Sequence, residues 1–263
     1  MKKNYKISVL ITNYNKEKFL NKSLKSVLSQ NYRNYEIILY DDCSSDGSLK
    51  IINKFKNIKL IKVLKKNKKN TGAQNQIIGV LEAFKKSKGQ IICLMDSDDF
   101  FEKNKNSFIN NIFKKKVNFN CVFNFPKTKK NSFEFKNKKL SHSIWPSIFP
   151  TSCISMRRSF FLKFTKYIRK YDFSNLEIDA RLTIFSKFFF NEYNLIDKKL
   201  TFYSYDQKGI TSNISKFSKI WWFRRIEAYA YLKYIIRKKK MTFRYSLDYF
   251  ITLFLSRILK TYS

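Results

Sequence analysis

Three observations predict an α/β fold built on a mostly parallel central sheet. Four short, mostly apolar runs, Ile7 to Ile11, Glu36 to Tyr40, Leu60 to Leu64 and Ile91 to Met95, punctuate the N-terminal part of the chain. The runs are separated by stretches with apolar residues at helical spacing. Polar segments rich in Asp, Asn and Thr sit just beyond the runs. Strand-helix units of this kind join parallel neighbours by right-handed crossovers, and such sheets gather ligands beyond the carboxyl ends of their strands.

The opening stretch is apolar only from Ile7 to Ile11 and polar again by Thr12, which reads as a first strand rather than a secretory leader. Leu20, Leu24, Val27 and Leu28 then share one helical face. The second strand, Glu36 to Tyr40, ends in the turn-forming Asp41-Asp42-Cys43-Ser44-Ser45-Asp46-Gly47, and Leu49, Ile52 and Phe55 form a short helical stripe. After the third strand, Gly72 to Lys86 carries Ile77, Ile78, Leu81 and Phe84 as a helix, with Gly89 expected as its C-cap. Ile91 to Met95 is apolar throughout, as a strand covered on both faces should be.

Beyond Phe101 the regularity changes. Expected in order are a helix at Phe108 to Phe113, a strand at Cys121 to Phe125, a Lys- and Asn-rich hairpin or loop, and a shaped loop from Ser141 to Pro150 that carries Trp145. A strand at Thr151 to Met156, a helix at Asn175 to Phe190 and a strand at Leu200 to Tyr205 follow. Two basic, aromatic helices, Phe217 to Arg237 and Phe243 to Leu259, close the chain. Residues 1–215 therefore read as one domain and 216–263 as a helical extension.

A chain of 263 residues, 44% hydrophobic and 17% aromatic, has a core and is no disordered basic tail. Its 54 Lys+Arg against 19 Asp+Glu give a formal charge of +35, which favours anionic partners: nucleotides, lipid phosphates, acidic membrane surfaces or nucleic acid. The same excess of Lys beside Asn, Ile and Phe is also what an AT-rich coding sequence produces. Cys43, Cys93, Cys121, Cys153 and the single His142 have no spacing that suits a structural zinc site. Cys93 and Cys121 lie in apolar runs, which points to a reduced, cytosolic setting. No run reaches the roughly 18 to 20 apolar residues of a spanning helix, so a membrane is expected to be touched rather than crossed.

The strongest local signal is Asp96-Ser97-Asp98-Asp99 at the end of an apolar strand. Three carboxylates so close repel one another, and a divalent cation that bridges a substrate's phosphates removes the penalty. An acidic turn capping the next helix is the plainer alternative, and the clustering of acids in so basic a chain speaks against it. Asp41 or Asp42 can accept from a base N–H or a ribose hydroxyl. Asp46 reads as turn or cap chemistry. Thr12 and Tyr14 end the first strand with a hydroxyl and a ring that can bracket a nucleobase. Asn70-Thr71-Gly72-Ala73-Gln74-Asn75 precedes a helix whose N-terminus suits an anion, with Lys65, Lys66, Lys68 and Lys69 just upstream. Glu177 and Asp179 stand two apart near the start of a helix. They point differently, so at most one can take a proton from an acceptor hydroxyl, and surface charge is the plainer alternative.

Taken together, Ile7-Ser8-Val9-Leu10-Ile11-Thr12-Asn13-Tyr14-Asn15, the helix with Leu24-Lys25-Ser26-Val27-Leu28-Ser29-Gln30, the stretch Tyr35 to Ser48, and Met95-Asp96-Ser97-Asp98-Asp99 resemble the family 2 glycosyltransferases of GT-A fold, over about residues 5 to 115. The resemblance implies that Thr12 and Tyr14 line a base pocket, that Asp41, with Asp42 beside it, contacts the base, and that Asn70, Gly72 and Asn75 serve the diphosphate. Asp96 and Asp98 become the ribose and metal residues of a DxD signature, with Asp99 sharing the metal role. Glu177-Ile178-Asp179 resembles the acidic pair of inverting members, with Asp179 as base because Ala180-Arg181-Leu182 follow it. The chain departs from the pattern in having Gln74 where a basic residue is usual, Ile178 between the two acids, and Gln207 where relatives often place a histidine.

What the resemblance implies is a donor-binding part at about 1–115 and an acceptor-side part at about 116–215. It also implies a nucleotide-diphospho-sugar donor, with UDP-sugar favoured, Mn2+ or Mg2+, and inversion by single displacement. The acceptor is a glycan or lipid-linked, in the making of cell-surface polysaccharide or lipopolysaccharide. A nucleotidyltransferase would need glycines that Thr12-Asn13-Tyr14-Asn15 lacks. Nucleic-acid binding suits the charge but not aspartates at the strand ends. A catalytically silent relative would not be expected to keep the DxD. Trp221, Trp222 and the Lys and Arg around them suit the face of an anionic membrane, which would make a cytoplasmic protein peripheral on the inner membrane face.

Overall fold

The computed structural model describes residues 4–67, 69–128, 148–204, 206, 209–210 and 214–261. Lys68, the Lys- and Asn-rich stretch from Lys129, Ser141 to Ser147 with His142 and Trp145, and Tyr205 and Gln207 lie outside the described residues.

The N-terminal half is parallel. β1 (Ile7–Asn13) lies between β2 (Tyr35–Asp41) and β4 (Ile91–Asp96), and β3 (Ile58–Lys62) flanks β2. Helices α1 (Glu17–Leu28), α2 (Ser48–Ile52) and α3 (Gly72–Lys86) make the crossovers. Thr12 pairs with Tyr40 on one side and Asp96 on the other, so three strands end level.

The apolar runs serve two cores by alternation. Leu10, Ile38, Ile92 and Leu94 pack with α3, whereas Val9, Ile11, Ile37, Leu39, Cys93 and Met95 pack with α1 and with α4 (Lys105–Lys115). Side chains of period two on a doubly covered strand require this split.

Two expectations change here. β3 begins two residues before Leu60 and stops at Lys62, and Leu64 is 84% exposed; as an edge strand, half-buried at best, it lacks the hydropathy contrast that fixes a frame. Gly89 does not cap α3, whose C-cap is Ser87. A Cβ there would meet the Ser8 nitrogen at 2.6 Å, so close passage against β1 demands glycine.

The second half mixes directions. β5 (Phe100–Phe101), β6 (Cys121–Lys127), β7 (Ile154–Arg157) and β8 (Asn194–Phe202) complete an eight-stranded sheet of order β3-β2-β1-β4-β7-β6-β8-β5. β6 and β8 are parallel, while β7 runs against both its neighbours and β5 against β8. The strand expected from Thr151 starts only at Ile154, after a 3-10 turn. The strand expected from Leu200 starts at Asn194, because the polar Asp197-Lys198-Lys199 hides its first part. α5 (Arg158–Thr165) and α6 (Ile178–Ile184) cover the sheet, α6 running into a π-helical turn at Phe185–Phe189. Asn175 and Leu176 thus precede the helix expected to contain them.

α7 (Lys219–Lys238) buries Ala228, Tyr231, Leu232 and Ile235 in the core that α3, α5 and α6 share, so it is built into the same body as the residues before 216. α8 (Leu247–Thr261) lies antiparallel on α7: Arg225 meets Asp248 and Thr252, and Lys233 meets Tyr249. Among the described residues no helix is long and apolar enough to cross a membrane.

Candidate active site

A cleft opens beyond the carboxyl ends of β1, β2 and β4. Thr12, Tyr40 and Asp96, the last residues of β1, β2 and β4 on the face shared with Leu10, Ile38 and Leu94, line it, and Asn13, Tyr14, Asp42, Ser97 and Asp98 join them at and just beyond the strand ends. Asp41 has the opposite parity and is fully buried. Its carboxylate accepts from Asn13 Nδ2 (2.7 Å), Ser44 Oγ (2.7 Å) and the Ser44 backbone N–H (2.9 Å), which leaves it holding the turn rather than facing the cleft. Asp46 accepts from the N–H groups of Glu17 and Ser48 and so satisfies the start of α1 and of α2.

Among the described upstream lysines, Lys66 reaches the cleft. Its ammonium stands 3.0 Å from the Tyr14 ring centroid and 3.6 Å from Asp42 Oδ2. Burial raises the Asp42 carboxyl, against the pull of Lys66. Gly72, Asn75 and Gln76 bring the first turn of α3 to the wall, while Asn70 stays off it and donates to Asn75 Oδ1 (3.0 Å). Gln74 faces away: it completes a capping box with Thr71 and donates to the Tyr171 carbonyl.

The acidic loop after β4 divides three ways. Asp96 accepts from Gln76 Nε2 (2.8 Å) and Thr12 Oγ1 (3.3 Å), and desolvation, with Asp98 nearby, pushes its carboxyl up to about 6. Asp98 lines the cleft and accepts from the Lys16 ammonium at 2.6 Å. The same ammonium reaches Asp206, and these two carboxylates outweigh burial to raise the lysine. Asp99 departs from the expectation: it is 1% exposed and off the cleft wall. One of its oxygens accepts from the Ser204 N–H and the other, Oδ2, has no partner among the described residues.

Glu177 and Asp179 both border the cleft, in different states. Glu177 is the N-cap of α6 and is held by Arg224 of α7, with Nη2 2.5 Å and Nε 3.2 Å from Oε2. Asp179 accepts from the Ala180 N–H at 2.6 Å, and among the described residues no cation pairs with it. Desolvation, then Glu177, push its carboxyl up to about 8. The fully buried Arg181 secures the approach by donating to the carbonyls of Ile168, Arg169, Asp172, Phe173 and Leu176. Lys16, Lys66, Gln76, Tyr203, Ser204 and Asp206 line the cleft although the sequence reading named none of them as site residues.

No cluster of three or more metal-ligating side chains occurs among the described residues. Asp98 and Asp206 nevertheless converge on one cation, the Lys16 ammonium, and Asp99 keeps an orphaned buried oxygen beside them. Divalent ions of the Mg2+ type bind through one or two carboxylates with substrate phosphates completing the shell, which such a set fits.

A sheet with a parallel N-terminal half and helices on both faces, a cleft at the strand ends and a DxD in its wall define the GT-A class of nucleotide-sugar transferase fold. The chain belongs to glycosyl transferase family 2, whose family model matches residues 8–193. It is 32% identical over 102 residues to the poly(ribitol-phosphate) beta-N-acetylglucosaminyltransferase TarS of Staphylococcus aureus, a match covering 37% of this chain and 17% of that enzyme. It is 39% identical over 101 residues to the UDP-Glc:alpha-D-GlcNAc-diphosphoundecaprenol beta-1,3-glucosyltransferase WfaP of Escherichia coli, covering 38% of each. The chain thus spans well under two thirds of the length of these curated relatives. Its fold resembles that of S. aureus TarS 1-349 in complex with UDP-GlcNAc, with a TM-score of 0.63 at 17% identity over 86% of this chain and 66% of that one. It also resembles the mannosyltransferase PcManGT of Pyrobaculum calidifontis in complex with GDP-Man and Mn2+, with a TM-score of 0.58 at 13% identity over 98% of this chain and 70% of that one. At these identities the two likenesses are of fold.

Proposed function

We propose that this chain is a metal-dependent, inverting glycosyltransferase that takes a sugar from a nucleotide-diphosphate donor, UDP-sugar in preference, and passes it to a glycan or lipid-linked acceptor of a cell-surface polysaccharide or lipopolysaccharide. The observation that carries the reading is one cleft whose wall runs from Lys66, Asp42 and Tyr14 through Asp98 to Asp179. Residues 1–215 act as the catalytic domain together with α7, which shares their core, and α8 works at the cytoplasmic face of a membrane. The E. coli relative, named for a diphosphoundecaprenol-linked acceptor, supports a lipid-linked acceptor here.

In this reading Tyr14 gives the nucleobase a ring to stack on, and Thr12, Asp42 and Lys66 supply its polar contacts. Asp96 serves the ribose. Gly72 and Asn75, at the start of α3, face the diphosphate where the helix terminus favours an anion. Asp98 and Asp206 hold the cation, Mn2+ or Mg2+, which when bound acts as a Lewis acid for the charge that develops on the departing diphosphate. Lys16 adds a second positive charge at the same point. Asp179 takes the proton of the acceptor hydroxyl as that oxygen bonds to the anomeric carbon and the bond from that carbon to the diphosphate breaks. Glu177, paired with Arg224, is assigned a structural part at the start of α6 rather than that of the base.

Calorimetric titration of UDP, GDP, CMP and dTDP with and without Mn2+ tests the reading. Metal-dependent binding of one nucleotide, weakened tenfold or more in Asp98→Ala, is expected. Absence of nucleotide binding under every condition would remove it.

A further inference from the structure

α8 is amphipathic in the reverse of the usual sense. Its small polar Thr252 and Ser256 are 0% and 6% exposed against α7, while Leu247, Phe250, Ile251, Phe254 and Ile258 stand 77%, 54%, 45%, 65% and 37% exposed. The spacing of those five puts them on one face of the helix. An exposed apolar face of this size marks an interaction surface.

Its surroundings indicate what covers it. Lys239, Lys240, Arg244, Arg257 and Lys260 are exposed at the ends of the stripe or along α8, and the one acid of the helix, Asp248, is taken by Arg225. A basic fringe around an apolar face fits an anionic bilayer. Two copies meeting through this face would bring together basic fringes on chains of charge +35, which opposes self-association. The expected anchors, Trp221 and Trp222, are not this face: Trp222 is 8% exposed and the two rings pack on each other at 4.6 Å.

The geometry points to the outward face of α8 as the surface that seats this protein on anionic lipid. The inference deepens the reading of a peripheral enzyme with a lipid-linked acceptor and rests on it. Arg225, which ties α8 to α7, is the neighbour of Arg224, which holds Glu177 at the cleft, so α8 is joined to the cleft wall through the first turns of α7.

The test is co-sedimentation of the full chain with vesicles of phosphatidylcholine alone and of phosphatidylcholine mixed with phosphatidylglycerol, for the wild type and for Ile251→Glu/Phe254→Glu. Both substituted positions are exposed, and unchanged circular dichroism and unchanged UDP titration show that the variant is folded. The wild type is expected to pellet with the anionic vesicles only, and the variant to lose binding tenfold or more. Equal binding by the variant would mean that bulk charge alone suffices and would overturn the assignment. So would a wild type that binds no vesicle, whether it stays a monomer or forms a dimer by light scattering that the variant splits. Failure of the transferase reading shows separately, as a wild type that pellets with lipid yet binds no nucleotide.

Discussion

Arg224 clasps Glu177 through two guanidinium nitrogens, while among the described residues no cation pairs with Asp179, two residues further along. The pair ties α7 to the wall of the cleft. Its partners are 25% and 6% exposed, and removing one end leaves a buried charge uncompensated. Arg224→Met is therefore expected to cost roughly 3 kcal/mol, the low end for a broken buried pair because the arginine is partly solvated. Arg224 also favours the ionised form of Asp179, so the variant should lose more activity at pH 7 than at pH 9. Arg224→Lys should recover part of both, read by thermal melting and by a pH–rate profile.

Asp179→Asn separates catalysis from stability. As the loss of a general base it should lower kcat by roughly 10²- to 10⁴-fold and leave nucleotide affinity unchanged. The folded carboxyl titrates at about 8, above the roughly 3.9 of an unfolded Asp. Between those values the folded state binds a proton that the unfolded state does not, so stability falls as pH rises through that window. The asparagine variant should melt higher than the wild type at pH 8 and show no excess at pH 4. In the wild type, kcat/KM should rise with pH toward 8 as the base ionises.

Asp41 and Asp42 should fail differently. Asp41→Ala strands three donors and is expected to destabilise by roughly 3 kcal/mol, since hydrogen bonds to a charged group are each worth roughly 1.5 to 3 kcal/mol. Asp42→Ala should melt near the wild type and bind nucleotide more weakly. A melting curve and a UDP titration on each variant separate the two outcomes.

Gly79 lets α3 lie directly on the sheet. A Cβ there would come within 2.6 Å of Tyr40 Cδ1 and 3.1 Å of Thr12 Cγ2, and both residues line the cleft. Gly79→Ala should cost roughly 1 to 3 kcal/mol by overpacking and raise KM for the donor more than it lowers kcat.

The parallel half was legible because strands buried on both faces are written as unbroken apolar runs, and the acidic loop because acids are scarce in so basic a chain. The choice between Asp41 and Asp42 lay one step further. Counting by twos from Leu10, Ile38 and Leu94 reaches Thr12, Tyr40 and Asp96 and misses Asp41, whereas Asn13, Tyr14, Asp42, Ser97 and Asp98 line the cleft from the strand ends and turns, where the alternation gives no guide. Asp99 looked equivalent to Asp98 in sequence, yet a turn sends adjacent side chains opposite ways. Lys16, Asp206 and Arg224 carry no local pattern. They meet the site only through tertiary packing, and the Lys16 contacts join residues 82 and 190 positions apart.

Turnover itself tests the central claim most directly. Release of nucleoside diphosphate should be followed across a panel of nucleotide sugars with an undecaprenyl-diphosphate-linked acceptor and with free glycans, with Mn2+, with Mg2+ and with a chelator. One donor is expected to turn over only with metal, with product of inverted anomeric configuration, and activity should vanish in Asp98→Ala and in Asp179→Asn. Turnover that survives the chelator or either substitution would contradict the account of the cleft, and retention of configuration would contradict the role given to Asp179.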